Sequence, residues 1–236
     1  MVAQSSILTT PAPGGVLLEK VCKAFEEAGK RRLVLDHLDL QAATGEFISI
    51  RGPSGSGKST LLNVLGGIDL ADSGAVQVGD LELNGLGETA RTLFRRHQVG
   101  FVFQFFNLVP TLTVAENLRL PLELCKKYQG DSEIEHWLER FNLVDRAKSY
   151  PDVLSGGEQQ RIAVIRAAIH KPVLILADEP TGNLDAVAGE SVLMLLREVV
   201  EQGACVIMAT HSRDAAKVAD RHLTLMDGQL HPDSIS

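Results

Sequence analysis

The segment GPSGSGKST, Gly52–Thr60, constrains this chain more than any other, because it demands a particular neighbourhood. Before it, FISIR reads as a short buried strand over Phe47–Arg51. After it, KSTLLNVL reads as a helix over Lys58–Leu65 that ends at Gly66-Gly67. Strand, glycine loop and helix together turn backbone N–H groups inward around phosphates, and the helix N-terminus adds its positive dipole end. The spacing matches G-x-x-x-x-G-K-[ST], so Gly52, Pro53, Ser54, Gly55, Ser56, Gly57, Lys58, Ser59 and Thr60 form a candidate phosphate loop. Lys58 would reach the outer phosphates and the Ser59 hydroxyl would ligate Mg²⁺. A flexible Gly/Ser turn with a solvated lysine is the plainer alternative, but it does not require the flanking strand and helix. The motif fixes a nucleotide and Mg²⁺, not a reaction.

The remaining pattern is α/β. Residues 16–41 read as an antiparallel pair around the charged turn 26–32, and residues 74–84 as a second outer pair. Residues 99–103, 173–177 and 204–209 read as short buried strands. Helical periodicity marks 157–170 and 191–202, and it also marks 114–124 and 134–141 within a stretch of changed character. This alternation predicts a mostly parallel sheet, with an antiparallel β subdomain and a helical subdomain inserted over about 105–170. Residues 1–15 read as a loose tail and 16–236 as one nucleotide-binding domain.

Composition removes several classes. A net charge of −7 argues against a general nucleic-acid surface. The longest apolar runs are too short to span a bilayer, and the N-terminal residues lack the basic and apolar regions of a secretory signal. Cys22, Cys125 and Cys205 are odd in number and widely spaced, which fits reduced cytosolic thiols better than a disulfide frame or a metal site.

Polar groups collect where strands end. Asp178 and Glu179 follow the strand 173–177, at the edge where open α/β sheets bind ligands. Neighbouring side chains along an extended chain point differently, so Asp178 suits Mg²⁺ and Glu179 suits polarising an attacking water. Gln104 follows the strand 99–103 and could coordinate the metal, and His211 follows 204–209 and could bond a γ-phosphate. A solvated acidic turn and a structural histidine are the bland alternatives. Their shared placement favours a site.

LSGGEQQR, Leu154–Arg161, is a second anion-binding helix start. Ser155 and Glu158 form a capping box, which explains both without any ligand. Gly156 and Gly157 are not explained that way, because glycine costs about 1 kcal/mol in a helix relative to alanine. They would let another molecule's phosphates approach the backbone.

With these strings in order, the chain resembles the nucleotide-binding subunit of an ATP-binding cassette (ABC) transporter over about residues 16–230. The resemblance makes GPSGSGKST the Walker A loop, Gln104 the Q-loop, LSGGEQQR the signature, LILADEP the Walker B strand, TGNLD ending at Asp185 the D-loop, and His211 the switch histidine. Phe25 matches the aromatic that stacks on adenine, where Tyr is more usual; a purely core role is the alternative. The family implies ATP and Mg²⁺ as cofactors. It also implies a homodimer in which one copy's Walker loop and the other's Ser155, Gly156 and Gly157 sandwich ATP, with Asp185 beside the shared site.

LLNVLGGID, FQFFNLVPTLTVAENL and ADEPTGNLD resemble the subfamily serving lipoprotein release, macrolide efflux and the FtsE cell-division ATPase. That resemblance implies an integral membrane permease as partner, a cytoplasmic position on the inner face of the membrane, and coupling to export, lipoprotein release or mechanotransmission. Phe105, Phe106 and Leu108 fall where the family docks its permease, although packing would explain at least two of them. Ile165 stands where the subfamily commonly has Ala, which reads as a packing change. Two competing readings are a soluble ABC ATPase of translation or DNA maintenance and a P-loop kinase. The first usually carries two cassettes or a long coiled coil, and the second needs no signature; neither matches one copy of each motif without a heptad tract.

Overall fold

The computed structural model describes residues 15–27 and 29–233. Apart from Gly15, the expected tail lies outside the described residues. Strands β1 (Val16–Glu27) and β2 (Lys30–Ala42) pair antiparallel as the sequence suggests, but the charged residues expected in the turn lie in the strands, where Glu26 pairs with Arg31 and Glu27 with Lys30. β4 (Ser73–Val78) pairs with the other edge of β1 and β5 (Leu81–Glu82) follows it, giving an antiparallel sheet in the order β2-β1-β4-β5.

The second sheet has six strands in the order β10-β9-β3-β8-β7-β6. β3 (Phe47–Arg51), β6 (Val99–Val102), β7 (Leu174–Asp178) and β8 (Cys205–Ala209) run parallel, as does β9 (Arg221–Met226) against β3. Only β10 (Gln229–Pro232) runs antiparallel, on the β9 edge. Alternation along these strands divides two cores. Phe47, Ile175, Ala177, Val206 and Met208 face one side, where they pack on α3 (Val114–Leu124), α4 (Ser132–Arg140), α5 (Gly156–Ala168) and α6 (Ala186–Glu201). Ile48, Ile50, Leu176 and Ile207 face the other side, against α1 (Lys58–Leu65) and the antiparallel sheet. The inserted helices therefore share a core with the main sheet. Ile165 lies fully inside it, which fits its reading as a packing residue.

The structure departs from the sequence reading in four places. A helix α2 (Glu88–Gln98) precedes β6; its residues ETARTLFRRHQ bury only Phe94, so it carries little apolar periodicity to read. α6 begins five residues before 191, because Asp185 caps it through a bond from the Ala188 N–H at 2.8 Å. β7 extends through Asp178, which is a strand residue and not the first of the turn. Finally, a short helix α7 (Arg213–Ala216) and the β9–β10 hairpin close the chain. Asp227 and Gly228 both have positive φ, 51° and 78°, so the Asp-Gly pair between two alternating runs was a readable hairpin signal.

His170, two residues beyond α5, is 4% exposed. Burial first, and then the charge of Lys127, push its pKa down to about 4. An unfolded histidine titrates near 6.5, so between these values the unfolded chain holds a proton that the folded chain does not. Stability is therefore full above pH 6.5 and falls as pH drops toward 4, by roughly 3 kcal/mol in all. We expect His170→Gln to flatten that slope in denaturant titrations between pH 7 and 4. An unchanged slope would mean that the acid sensitivity lies elsewhere.

Candidate functional site

The C-terminal ends of β3, β6 and β7 open on a cavity of about 670 Å³. Its floor is the loop leaving β3. Gly57 is the N-cap of α1 with φ 103°, a left-handed backbone that glycine adopts without cost, and a Cβ there would sit 2.7 Å from Val34 Cγ1. No side chain caps this helix start, so its first N–H groups are available to an anion. Among the described residues the buried Ser56 hydroxyl has no hydrogen-bond partner either. Lys58 Nζ donates to the Gly52 and Pro53 carbonyls at 2.8 and 3.0 Å, which holds the ammonium against the loop it belongs to.

Ser59, Gln104 and Asp178 line the same cavity. A hydroxyl, an amide carbonyl and a carboxylate make an all-oxygen donor set, which suits a hard cation such as Mg²⁺. Gln104 is oriented by Asn183: its Nε2 donates to Asn183 Oδ1 at 3.1 Å, and Asn183 Nδ2 returns a bond to the Gln104 carbonyl at 3.3 Å. Glu179 also lines the cavity and has φ 49°, a left-handed conformation that is strained for a residue with a side chain. Its N–H donates to the Ala209 carbonyl at 2.9 Å, so β8 holds the strained turn in place. Its carboxylate meets residue 211 twice, through the His211 N–H at 3.3 Å and the His211 Nδ1 at 2.8 Å. The sequence reading gave Glu179 and His211 separate tasks. The structure pairs them, leaving His211 Nε2 as the ring atom turned to other partners.

Phe25 lines the cavity and belongs to neither buried core, which weighs against a purely core role. Asp72 fixes its neighbourhood by accepting from the Ala24 N–H at 2.8 Å and pairing with Lys23 at 3.4 Å, and Lys23 Nζ stands 5.2 Å from the Phe25 ring centroid. Arg32 donates to the Gly55 carbonyl at 3.1 Å, tying the antiparallel sheet to the phosphate loop.

The LSGGEQQR segment lies outside this cavity. Ser155 is the N-cap of α5, accepting from the Glu158 N–H at 3.3 Å, while Glu158 accepts from the Ser155 N–H at 2.8 Å. Partial burial works against the Glu158 anion, but the Ser155 N–H, the Arg146 guanidinium and the Ser155 hydroxyl outweigh it and hold its pKa below the usual carboxylate range. The glycines divide. A Cβ on Gly157 would stand 2.8 Å from Ala188 Cβ on α6, so packing within the chain explains that residue. A Cβ on Gly156 would meet only Phe106 and Leu184 at ordinary contact distances of 3.5 and 3.6 Å. Asp185 is likewise outside the cavity, and its carboxylate serves the cap of α6.

Several residues join these parts through bonds that their strings do not disclose. Gln160 is fully buried and donates to the Phe103 and Pro180 carbonyls at 3.0 and 2.7 Å, so α5 is pinned to the ends of β6 and β7. Arg166 donates to the Asn107 carbonyl at 2.7 Å and the Phe106 carbonyl at 3.3 Å. Asn117, also fully buried, accepts from the Val109 N–H at 2.8 Å and donates to the carbonyls of Val109, Leu112 and Thr113. These bonds shape residues 106–113. Of the three apolar residues expected to meet a partner, Phe105 is 71% exposed, Leu108 packs on the core, and Phe106 faces Gly156.

The sequence model of a family described as "ABC transporter" matches residues 35–182. An uncharacterized ABC transporter ATP-binding protein of Mycobacterium tuberculosis is 48% identical over 220 residues, covering 92% of this chain and 89% of that protein. The lipoprotein-releasing system ATP-binding protein LolD of Granulibacter bethesdensis is 41% identical, covering 91% and 95%. Among solved structures, the ATP-binding cassette MJ0796, of Methanocaldococcus jannaschii, in a dimeric post-hydrolysis state bound to ADP and Pi, superimposes with a TM-score of 0.83 at 38% identity, covering 94% of this chain and 99% of that one.

The contrast between the glycines is open to measurement. Gly157→Ala should cost about 1–3 kcal/mol in denaturant unfolding, because its methyl group is forced against Ala188. Gly156→Ala should leave stability unchanged or raise it by up to ~1 kcal/mol through helix propensity. Equal losses for both would refute the packing assignment.

Proposed function

The chain belongs to the ABC transporter family and is an ATP-hydrolysing subunit of that kind; from this premise we propose that two copies close over ATP and Mg²⁺ and drive a membrane permease. The observation that carries the reading is the cavity that joins the Lys58 loop to Ser59, Gln104, Asp178 and Glu179, with His211 bonded to Glu179. Phe25 would stack on the adenine. The Gly52–Thr60 loop would wrap the phosphates with N–H groups, and Lys58 would exchange its loop carbonyls for phosphate oxygens. Ser59, Gln104 and Asp178 would hold Mg²⁺, which when bound supplies positive charge to the phosphate oxygens.

Glu179 sits with both oxygens aligned by residue 211, so it is placed to accept a proton from an attacking water. Proton transfer from the water to Glu179 would free a hydroxide to attack the γ-phosphorus with ADP as the leaving group, while His211, held through its Nδ1, would keep Glu179 oriented. The α5 start lies away from this cavity in the same chain, which supports its use across a dimer boundary. Of its two glycines, Gly156 is the one without an internal packing reason. MJ0796 is a dimer in its solved state, and at 38% identity over nearly all of both chains the same arrangement fits this chain.

Among the described residues no helix is long and apolar enough to cross a membrane, so a membrane role requires a partner. The surface that fits one is a groove of about 450 Å³ beside the shaped segment 106–113, with Phe101, Leu120, Pro121 and Leu124 on its walls and Arg96 and Arg166 at its rim. Leu124 is 49% exposed there. An amphipathic cytoplasmic helix of the permease with acidic flanks suits this apolar floor and basic rim. Through Arg166, which lines the groove and bonds the Phe106 and Asn107 carbonyls, the groove touches the segment that follows Gln104, giving the permease a mechanical route to the nucleotide. The subunit would then sit at the cytoplasmic face of the membrane.

Glu179→Gln should leave ATP binding intact, lower turnover by ~100-fold or more, and accumulate an ATP-bound dimer in light scattering. Lys58→Ala should weaken ATP binding by about tenfold or more. A Glu179→Gln variant that stays monomeric in saturating Mg-ATP would sink the shared-site reading. For the partner, Leu124→Asp should lose the integral membrane protein that co-purifies with the native chain while retaining ATP binding. Undiminished recovery would move the docking surface elsewhere.

A further inference from the structure

Away from the nucleotide cavity, β1 and β2 bring together a thiol, a carboxylate and an imidazole. One candidate ligand atom from each of Cys22, Asp36 and His37 lies within 4.8 Å of the others. Neighbouring residues of a regular strand point to opposite faces, so Asp36 and His37 should not reach the same atom. They do so because His37 has φ 49°, a left-handed value that breaks the alternation of β2. Lys20, on the facing stretch of β1, has the same φ of 49°, and the pairing register shifts between Leu18 and Val21 and again before Lys23. Two irregular strands are thus bent at one spot, around this cluster.

The local bonds leave the donors open to a metal, since the Cys22 thiol donates only a long bond, 3.8 Å, to the Lys20 carbonyl. His37 Nδ1 and Asp36 Oδ1 are 2.6 Å apart, and the His37 N–H donates to Cys22 Sγ at 3.3 Å, a bond that strengthens as sulfur becomes a thiolate. Cys22 is nearly covered at 9%, while the His37 and Asp36 side chains are 70% and 38% exposed, so the cluster is open on one side to an entering ion and to water. The other thiols lack such company: Cys125 donates to the Arg96 carbonyl, and Cys205 is fully buried within the sheet.

We propose that Cys22, Asp36 and His37 form a zinc-type divalent metal site on the antiparallel sheet, with water as the fourth ligand. Sulfur, nitrogen and oxygen donors match the borderline preference of Zn²⁺, whereas Mg²⁺ selects oxygen alone. Tetrahedral bonds of about 2.0–2.3 Å require donors roughly 3–4 Å apart, which side-chain rotation within this cluster supplies. Binding releases the Cys22 thiol proton to solvent, and a neutral His37 that offers Nδ1 to the metal carries its one N–H on Nε2. The site would clamp β1 to β2 three residues before Phe25, on the strand that lines the nucleotide cavity. It is independent of the transport reading, since it shares no residue with the ATP site.

The test uses the full chain without an affinity tag, stripped by chelator and then titrated with Zn²⁺ alone and with Co²⁺ as a spectroscopic probe. One Zn²⁺ per chain, bound equally with and without saturating Mg-ATP, is expected, together with a thiolate-to-cobalt charge-transfer band in the near ultraviolet. Cys22→Ser should abolish the band, and Cys22→Ser and His37→Asn should each weaken Zn²⁺ binding by ~tenfold or more. Asn tolerates a left-handed backbone, so His37→Asn keeps the strand geometry, and matching thermal unfolding of the stripped proteins checks this. A purely structural cluster would show no band. Absence of Zn²⁺ binding, competition by Mg-ATP, or unchanged affinity in both variants would overturn the proposal.

Discussion

Parallel pairing among β3, β8, β7 and β6 is the constraint on which the other features of this molecule depend. Each pairing puts the C-terminal end of a strand at the same edge, so the residues that follow them become neighbours although they are spread from position 52 to 211. The Lys58 loop leaves β3, Gln104 leaves β6, Asp178 and Glu179 end β7, and His211 follows β8. None of these side chains needs a long-range bond to find the others. The backbone ladder brings them together, and local bonds then set their directions.

Direction is where the buried polar residues matter. Gln160 carries its amide into the core only because two strand-end carbonyls accept from it, and that exchange fixes α5 relative to β6 and β7. A buried amide without such partners would cost about 1–3 kcal/mol, so the bonds are a condition of its being there. Asn117 and Arg166 act on residues 106–113 in the same way, substituting side-chain bonds for the backbone bonds that an irregular segment lacks. The loop beyond Gln104 is therefore irregular in path but held at several points.

Legibility in the sequence followed the range of the interaction. Strands β3, β7 and β8, helix α1 and the capping box of α5 rest on apolar periodicity or on contacts a few residues apart, and both are visible in a string. α2 was hidden because it buries one residue, Phe94, and so has almost no apolar face. The β9–β10 hairpin was readable from Asp227-Gly228 and was passed over. Within the site, the motif residues that line the cavity could be named, while the bonds made by Arg32, Asp72, Asn183 of TGNLD and Gln160 of LSGGEQQR could not. Their importance arises from partners 20 to 79 positions away, a separation that no local pattern encodes.

Gly157 shows how a recognisable string can mislead about cause. Reading LSGGEQQR alone invites one explanation for both glycines, close approach of an anion to the backbone. Within the fold, α6 crosses α5 so closely at Ala188 that Gly157 is required even if no anion ever arrives. Gly156, one residue earlier and turned toward Phe106 and Leu184, has no such requirement. Two adjacent identical residues thus answer to different constraints, one to the packing of this chain and the other to whatever meets the α5 start from outside. The same separation applies at Asp185, whose carboxylate already has a use in capping α6. A partner at this surface would meet a helix start that is rigid before it arrives, because the Ser155–Glu158 exchange, the Arg146 bond and the Gly157–Ala188 contact all lie within one chain. Pre-ordering of this kind lowers the entropy lost when the surface is engaged, so binding energy there goes into closing the assembly and not into building the helix.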